Sequence, residues 1–128
     1  MVLAVVDDLL FSSKLRAAAA AATHPIVFVR KRDEVITAMR EHRPSLVIVD
    51  LDRDALDPIG AIGEIRASSE FADAKIVGFG SHVNTERLQA ARAAGCDRPM
   101  ARSAFVVALP DLMKTAGARD TSKGTPQV

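Results

Sequence analysis

The sequence lacks tryptophan and tyrosine and contains only one cysteine in 128 residues. Its five phenylalanines are the only aromatic side chains, which disfavours the stacked platform on which single-stranded nucleic acids bind. The cysteine, Cys96, cannot form a disulfide within the chain, and no Cys/His pattern of metal-ligand spacing surrounds it. We therefore expect a protein of a reducing compartment, the cytoplasm.

An excess of charge and a long apolar run are also missing. The 17 basic and 16 acidic residues give a formal net charge of +1, so long-range electrostatics do not predict direct binding to nucleic acid. Apolar residues 2–6 are followed at once by Asp7 and Asp8, and this segment is too short for a signal peptide or a membrane span. We expect neither nucleic acid nor a membrane as a partner.

Short apolar runs alternate with helix-compatible stretches, and the length suits one domain. Runs rich in Val and Ile predict five strands, at residues 2–6, 26–29, 46–49, 76–79 and 96–101. Apolar spacing and composition predict five helices, at residues 12–22, 33–42, 57–68, 84–94 and 103–116. Because the strands lack clean alternation, we expect an α/β fold, a (βα)5 three-layer sandwich with a five-stranded parallel sheet.

The ends of the predicted helices carry residues that favour helix termini. The expected N-caps are Asp33, Asp57, Asn84 and Ser103. Gly95 follows the fourth helix, where a C-terminal glycine is preferred. Residues 117–128 are polar and without periodicity, so we expect a domain of residues 1–116 followed by a flexible tail or linker stump.

Aspartates follow the first and third predicted strands. Asp7 and Asp8 end the first, and Asp50 ends the third, two residues before Asp52. Ligands of open α/β sheets bind at the carboxyl ends of strands, and carboxylates that converge there repel one another unless a cation lies among them. Mg²⁺ prefers such oxygen ligands, so we predict Mg²⁺ at Asp7 and Asp8, near Asp50 and a main-chain carbonyl of the following loop, that of Asp52.

Asp50 is the carboxylate that this arrangement leaves to react. A carboxylate can attack phosphorus and form an acyl phosphate when a metal ion and a cationic side chain neutralise the transferring group. The alternative is that these aspartates only cap helices and solubilise loops.

Four segments, taken in order, resemble the receiver domains of bacterial response regulators over residues 2–115. The matching segments are residues 3–8 (LAVVDD), 44–50 (PSLVIVD), 57–66, which align without a gap to the helix that follows in the family, and 94–97 (AGCD). The resemblance implies a flavodoxin-like fold with strand order 2-1-3-4-5. It also implies that Asp50 accepts a phosphoryl group from a histidine kinase or phosphotransfer protein, with Mg²⁺ held by Asp7 and Asp8. Such a domain signals to a downstream effector protein and is not an enzyme.

Several positions depart from the pattern of that family. Gly80 takes the place of a hydroxyl residue that bonds a phosphoryl oxygen, and Ser81 follows as a substitute. Arg102 replaces a lysine and keeps its positive charge, while Pro99 replaces the aromatic switch residue. We therefore expect an atypical receiver that retains its phosphoacceptor and has lost the usual relay.

Gly80 and Pro99 leave open a second interpretation, a pseudo-receiver that acts as a phosphorylation-independent interaction module. The interaction face that the resemblance implies comprises the fourth helix, fifth strand and fifth helix. It could dock an acidic partner or a second copy of the chain as a homodimer, and its arginines are Arg87, Arg92, Arg98 and Arg102.

A third interpretation is an aspartate-nucleophile phosphatase. Residues 50–52 resemble the Asp-x-Asp motif of haloacid-dehalogenase-type phosphatases. In those enzymes the motif ends the first strand and a late acidic pair follows, whereas Asp50 ends the third predicted strand here. The phosphatase is the remotest of the three.

Overall fold

The computed structural model of the protein describes residues 1–81 and 85–124, with side chains up to Ala116. The strands are β1 (Val2–Val5), β2 (Ile26–Val29), β3 (Leu46–Asp50), β4 (Lys75–Gly80) and β5 (Arg98–Ala101). The helices are α1 (Leu9–Ala21), α2 (Val35–His42), α3 (Pro58–Arg66), α4 (Thr85–Ala94) and α5 (Arg102–Gly124). Within these described residues, three short 3₁₀ turns lie between the strands and helices, at Arg32–Glu34, Asp54–Leu56 and Ser69–Phe71.

The strands form one parallel sheet in the order β2-β1-β3-β4-β5. This confirms the predicted (βα)5 sandwich and the flavodoxin-like order that the resemblance implies. Val5 pairs with Val49, Asp50 with Phe79, and Gly80 with Ala101, so the carboxyl ends of four strands meet at one edge. β5 is an edge strand, where Pro99 is tolerated because its missing N–H removes no inner ladder bond.

Each face of the sheet is covered by its own apolar cluster. Leu3 and Val5 of β1 point to the cluster that includes α2 and α3, while Val2 and Ala4 point to the cluster of α1 and α5. This alternation is the two-residue period of a strand, and both sets are fully buried. The α1 residue Ala19 is buried against the sheet, where its small side chain lets the helix approach closely. Among the described residues, no helix is both long enough and apolar enough to cross a membrane.

Two predicted helix ends are confirmed. Asp57 caps α3, because its Oδ1 accepts the N–H of Gly60 at 3.3 Å. Its backbone is left-handed, with φ of 43°. Gly95 ends α4 with φ of +119°, a conformation that costs glycine little.

The predicted start of α1 at residue 12 is wrong. The helix begins at Leu9 because Asp8 is its N-cap, and Asp8 Oδ1 accepts the N–H of Phe11 at 3.1 Å. Asp33 lies within the turn Arg32–Glu34 and caps no α-helix, and Ser103 lies inside α5. Asn84 is outside the described residues.

α5 continues to Gly124, beyond the end predicted at residue 116. The apolar periodicity stops at Ala116, but each further residue adds a hydrogen bond to a helix already formed. The boundary between domain and tail therefore stays a prediction, and residues 125–128 lie outside the described part.

Candidate functional site

A cleft of about 400 Å³ lies at the carboxyl edge of the sheet. It is lined by Asp7, Asp8, Asp50, Asp52, Arg53 and Arg102. The fold thus brings together the predicted phosphoacceptor, the acidic residues predicted at the metal, and the arginine that replaces the family lysine. Arg53 is an addition that the sequence analysis missed.

Asp50 is the buried acid of this cleft, with 5% of its surface exposed. Its Oδ1 accepts the N–H of Asp52 at 3.0 Å and lies 3.9 Å from Nη2 of Arg102. Burial raises the pKa of Asp50 above its ordinary value of 3.8, and the Asp52 N–H and the Arg102 charge oppose that rise. The charges of Asp52 and Asp7 raise this pKa further, so Asp50 has an unfavourable environment for its charge in the absence of another cation.

Asp7 is paired with Arg53. The Nε of Arg53 lies 2.9 Å from both carboxylate oxygens of Asp7. This contact raises the pKa of Arg53 above its ordinary value, and the charge of Asp50 adds to the effect. Arg53 follows Asp50 by three residues in a loop, and no periodicity or motif indicated that its side chain turns back to Asp7.

The acidic residues suit Mg²⁺ by ligand type and by sharing one cleft, since this ion prefers carboxylate and carbonyl oxygens. Within the described residues, however, no three side chains of His, Cys, Asp or Glu form a group ready to hold a metal. Arg53 contacts both oxygens of Asp7, and one oxygen of Asp8 caps α1. A divalent ion that approached both oxygens of Asp7 from the side of Arg53 would therefore require Arg53 to move.

Asp52 fills the space beside the glycine at the end of β4. Its Oδ2 accepts the N–H of Ser81 at 2.8 Å. A Cβ atom on Gly80 would lie 3.1 Å from Asp52 Oδ1 and 3.4 Å from Cβ of Leu51. The carboxylate thus occupies the side of β4 where the resemblance places a hydroxyl side chain. Ser81 lies at the rim, lining a neighbouring cavity with Asp52 and Arg102.

Arg102 is held by aromatic rings as well as by charge. Its guanidinium carbon lies 4.9 Å from the ring centroids of both Phe11 and Phe79. These rings belong to an aromatic cluster, in which the ring centroid of Phe79 lies 4.6 Å from that of Phe11 and 4.8 Å from that of Phe105. A planar guanidinium stacks on aromatic faces better than an ammonium does. The phenylalanine cluster therefore favours arginine over lysine at this position.

Arg87 links α4 to the loop after β3. Its Nη1 donates to the carbonyl of Leu51 at 2.8 Å and lies 2.8 Å from Oδ1 of Asp54. Two of the four arginines predicted on the interaction face, Arg87 and Arg102, are therefore engaged with the site end of the molecule. Arg92 and Arg98 are exposed.

Comparison with solved structures shows that the chain shares its fold with response-regulator receiver domains. No protein-family model matches the sequence, and no curated protein is significantly similar to it. The chain is similar to the chemotaxis response regulator CheY4 of Vibrio cholerae, with a TM-score of 0.77 at 16% identity over 90% of this chain and 96% of that one.

Two further solved structures are comparably similar. The receiver domain of the sensor histidine kinase PA1611 from Pseudomonas aeruginosa, which has a magnesium ion in its active site cleft, gives a TM-score of 0.76 at 16% identity, covering 90% of this chain and 94% of that one. The phosphorylated cyanobacterial phytochrome response regulator RcpA gives a TM-score of 0.74 at 20% identity, covering 89% of this chain and 88% of that one. At these identities the likeness is one of fold.

Proposed function

Because the chain has the fold of response-regulator receiver domains, we propose that it is the phosphoacceptor of a two-component phosphorelay. In this proposal Asp50 accepts a phosphoryl group from a histidine kinase or phosphotransfer protein. The observation that carries it is the place of Asp50, buried at the end of β3 in a cleft shared with Asp7, Asp8 and Arg102.

The contacts of Asp50 suit a nucleophile in phosphoryl transfer. The Asp52 N–H fixes one carboxylate oxygen and so orients the group, which is 5% exposed at the floor of the cleft. The carboxylate attacks phosphorus in line with the imidazole nitrogen of the donor phosphohistidine, the P–N bond breaks as the imidazole leaves and takes up a proton, and an acyl phosphate results. Arg102 lies within 3.9 Å of the same carboxylate and supplies positive charge for the phosphoryl oxygens.

We propose Asp7 and Asp8 as the Mg²⁺ ligands, with Asp50 and the main-chain carbonyl of Asp52 completing the protein's share. Bound there, Mg²⁺ would neutralise charge on the phosphoryl oxygens. The support is the chemistry of the donor set and the common cleft. A solved receiver of the same fold has magnesium in its active site cleft.

The output of this receiver is proposed to be atypical. Gly80 has no hydroxyl, Pro99 has no aromatic ring, and Asp52 lies beside Gly80, so the usual relay has no counterpart at these positions. Ser81 is the hydroxyl residue next to the cleft and is proposed as the substitute. The domain would act on a downstream effector protein in the cytoplasm, without enzymatic turnover, with a homodimer through α4, β5 and α5 as one form of partnership.

A second candidate function is the phosphorylation-independent interaction module. The observation that favours it is the pairing of Arg53 with both oxygens of Asp7, which compensates acidic charge in the cleft without a metal ion. In this case the acidic cleft is structural and the outer face of α4, β5 and α5 binds the partner.

Intact-protein mass spectrometry after incubation with acetyl phosphate and Mg²⁺ tests the proposal. We expect the protein and its D33N variant, which alters an exposed aspartate, to gain one phosphoryl mass, whereas D50A gains none. A folded protein that gains no mass would support the interaction module. Steady release of inorganic phosphate over many turnovers would instead support the phosphatase.

A further inference from the structure

Arg53 is the one basic residue that contacts Asp7 within the described part of the chain. Both contacts use its Nε, at 2.9 Å from each carboxylate oxygen. A guanidinium that lies across both oxygens takes the position from which a metal ion would bind that carboxylate. The two cations cannot bind Asp7 in this way at the same time.

The negative charge of the cleft attracts cations. Four carboxylates line it, and Arg53 and Arg102 are the guanidiniums among the lining residues. Carboxylates a few ångströms apart raise one another's pKa unless a cation lies between them. Arg102 lies on the Asp50 side, 3.9 Å away, and Arg53 lies on the Asp7 side.

The position of Arg53 also allows it to leave. Its side chain is 54% exposed, and it belongs to the loop that follows β3. An exposed ion pair is weak, because water and salt screen both charges. A divalent cation with twice the charge can therefore displace the guanidinium, which returns to solvent with little loss of packing.

We propose that Arg53 is an internal counter-ion that competes with the divalent cation for Asp7 and so sets the metal affinity of the cleft. The inference rests on the proposed metal role of Asp7 and Asp8. In the metal-free protein Arg53 pairs with Asp7, and metal binding releases it. The cleft would then bind Mg²⁺ only when the ion is concentrated enough to displace the arginine.

The test is a titration of Mn²⁺ into the protein, R53Q and R40Q, with free Mn²⁺ measured by electron paramagnetic resonance. R40Q is the matched control, because Arg40 is exposed and pairs with Glu70, at the end of the sheet opposite the cleft. We expect R53Q to bind Mn²⁺ about two- to fivefold more tightly than the parent, the range that loss of one exposed ion pair allows. R40Q should bind as the parent does.

A second readout separates displacement from a general change in charge. In the parent protein, the Nε–H resonance of Arg53 should shift on saturation with Mg²⁺ toward its position in D7N, where its partner carboxylate is absent. Equal affinities of the parent and R53Q, no binding to either, or an unmoved Arg53 resonance would overturn the inference.

The same samples distinguish this inference from the proposed function. Tighter Mn²⁺ binding by R53Q, combined with no labelling of Asp50 by acetyl phosphate, would keep the competition and overturn the phosphoacceptor role. Labelling of Asp50 combined with equal Mn²⁺ affinities would keep the phosphoacceptor role and overturn the competition. Circular dichroism confirms that each variant is folded.

Discussion

The carboxylate of Asp52 lies against Gly80, so closely that a Cβ atom on this glycine would be 3.1 Å from Asp52 Oδ1. The other oxygen, Oδ2, accepts the N–H of Ser81 at 2.8 Å. The two residues are therefore complementary, since the absence of a side chain at position 80 makes room for the carboxylate of a different loop. A side chain at position 80 would require Asp52 Oδ1 to shift by a few tenths of an ångström.

We expect G80T to be destabilised by about 0.5–1.5 kcal/mol, because the new side chain crowds Asp52 and Leu51 in a strand that is already packed. In the D52A background the same change should be neutral or stabilising, since a β-branched residue suits a strand better than glycine does. Urea unfolding of the parent, both single variants and the double variant measures this coupling. Additive effects would show that Asp52 and Gly80 are not complementary.

Asp50 should make the stability of the metal-free protein depend on pH. Burial raises its pKa in the folded protein, so the folded state keeps a proton at pH values where the unfolded chain has lost it. The contribution of Asp50 to the free energy of unfolding therefore falls as the pH rises from below 3.8, its ordinary value, through the raised pKa.

D50N should consequently gain stability over the parent as the pH rises through that window. We expect an advantage on the order of 1 kcal/mol at neutral pH, and little difference at the acid end of the range. Urea denaturation at several pH values without divalent cations measures it, with D33N as the exposed control. A D50N advantage that does not change with pH would contradict the assigned effect of burial.

Arg102 should be replaceable by lysine only in part. R102A removes the cation near Asp50 and its contacts with Phe11 and Phe79, so we expect acetyl phosphate labelling to slow by on the order of 10²-fold. R102K restores charge without the planar contact, and its rate should lie between the two. Time-resolved intact mass provides these rates, and a labelling rate of R102A equal to that of the parent would exclude a role for Arg102.

Asp57 should contribute to stability as the cap of α3. D57A loses the acceptor for the N–H of Gly60 and places alanine at a φ of 43°, so we expect a loss of about 1–2 kcal/mol. D57N keeps an oxygen acceptor and a residue that tolerates left-handed backbone, so its loss should be smaller. Urea denaturation compares them, and equal losses would show that the Arg32 ion pair with Asp57, at 3.2 Å, matters more than the cap.

The fold could be predicted from sequence because Val- and Ile-rich runs without alternation indicate strands that are buried on both faces. Asp57 and Gly95 were found for a local reason, since capping depends on the few residues at a helix end. Asp8 was assigned only to the metal, although its side chain also caps α1. An aspartate after a strand fits both a metal ligand and a helix N-cap, and the sequence does not indicate which of the two roles its side chain takes.

The side-chain pairings of the cleft could not be predicted in the same way. Arg53 reaches Asp7 across 46 positions of the chain, and Arg102 lies on rings from α1 and β4. Such contacts depend on rotamers and on sheet register, which bring distant residues together without a local pattern. At Gly80 the sequence predicts only the loss of a hydroxyl, because the packing that places Asp52 beside this glycine is a tertiary property.

The central claim, that the buried Asp50 is the residue that takes up phosphate, is tested most directly by locating the label. Borohydride reduces an aspartyl phosphate to homoserine, which peptide mass spectrometry can place in the sequence. After treatment with acetyl phosphate and Mg²⁺, we predict homoserine at position 50 and at no other aspartate. Homoserine at position 7, 8 or 52 instead, or none in a folded protein, would contradict the account.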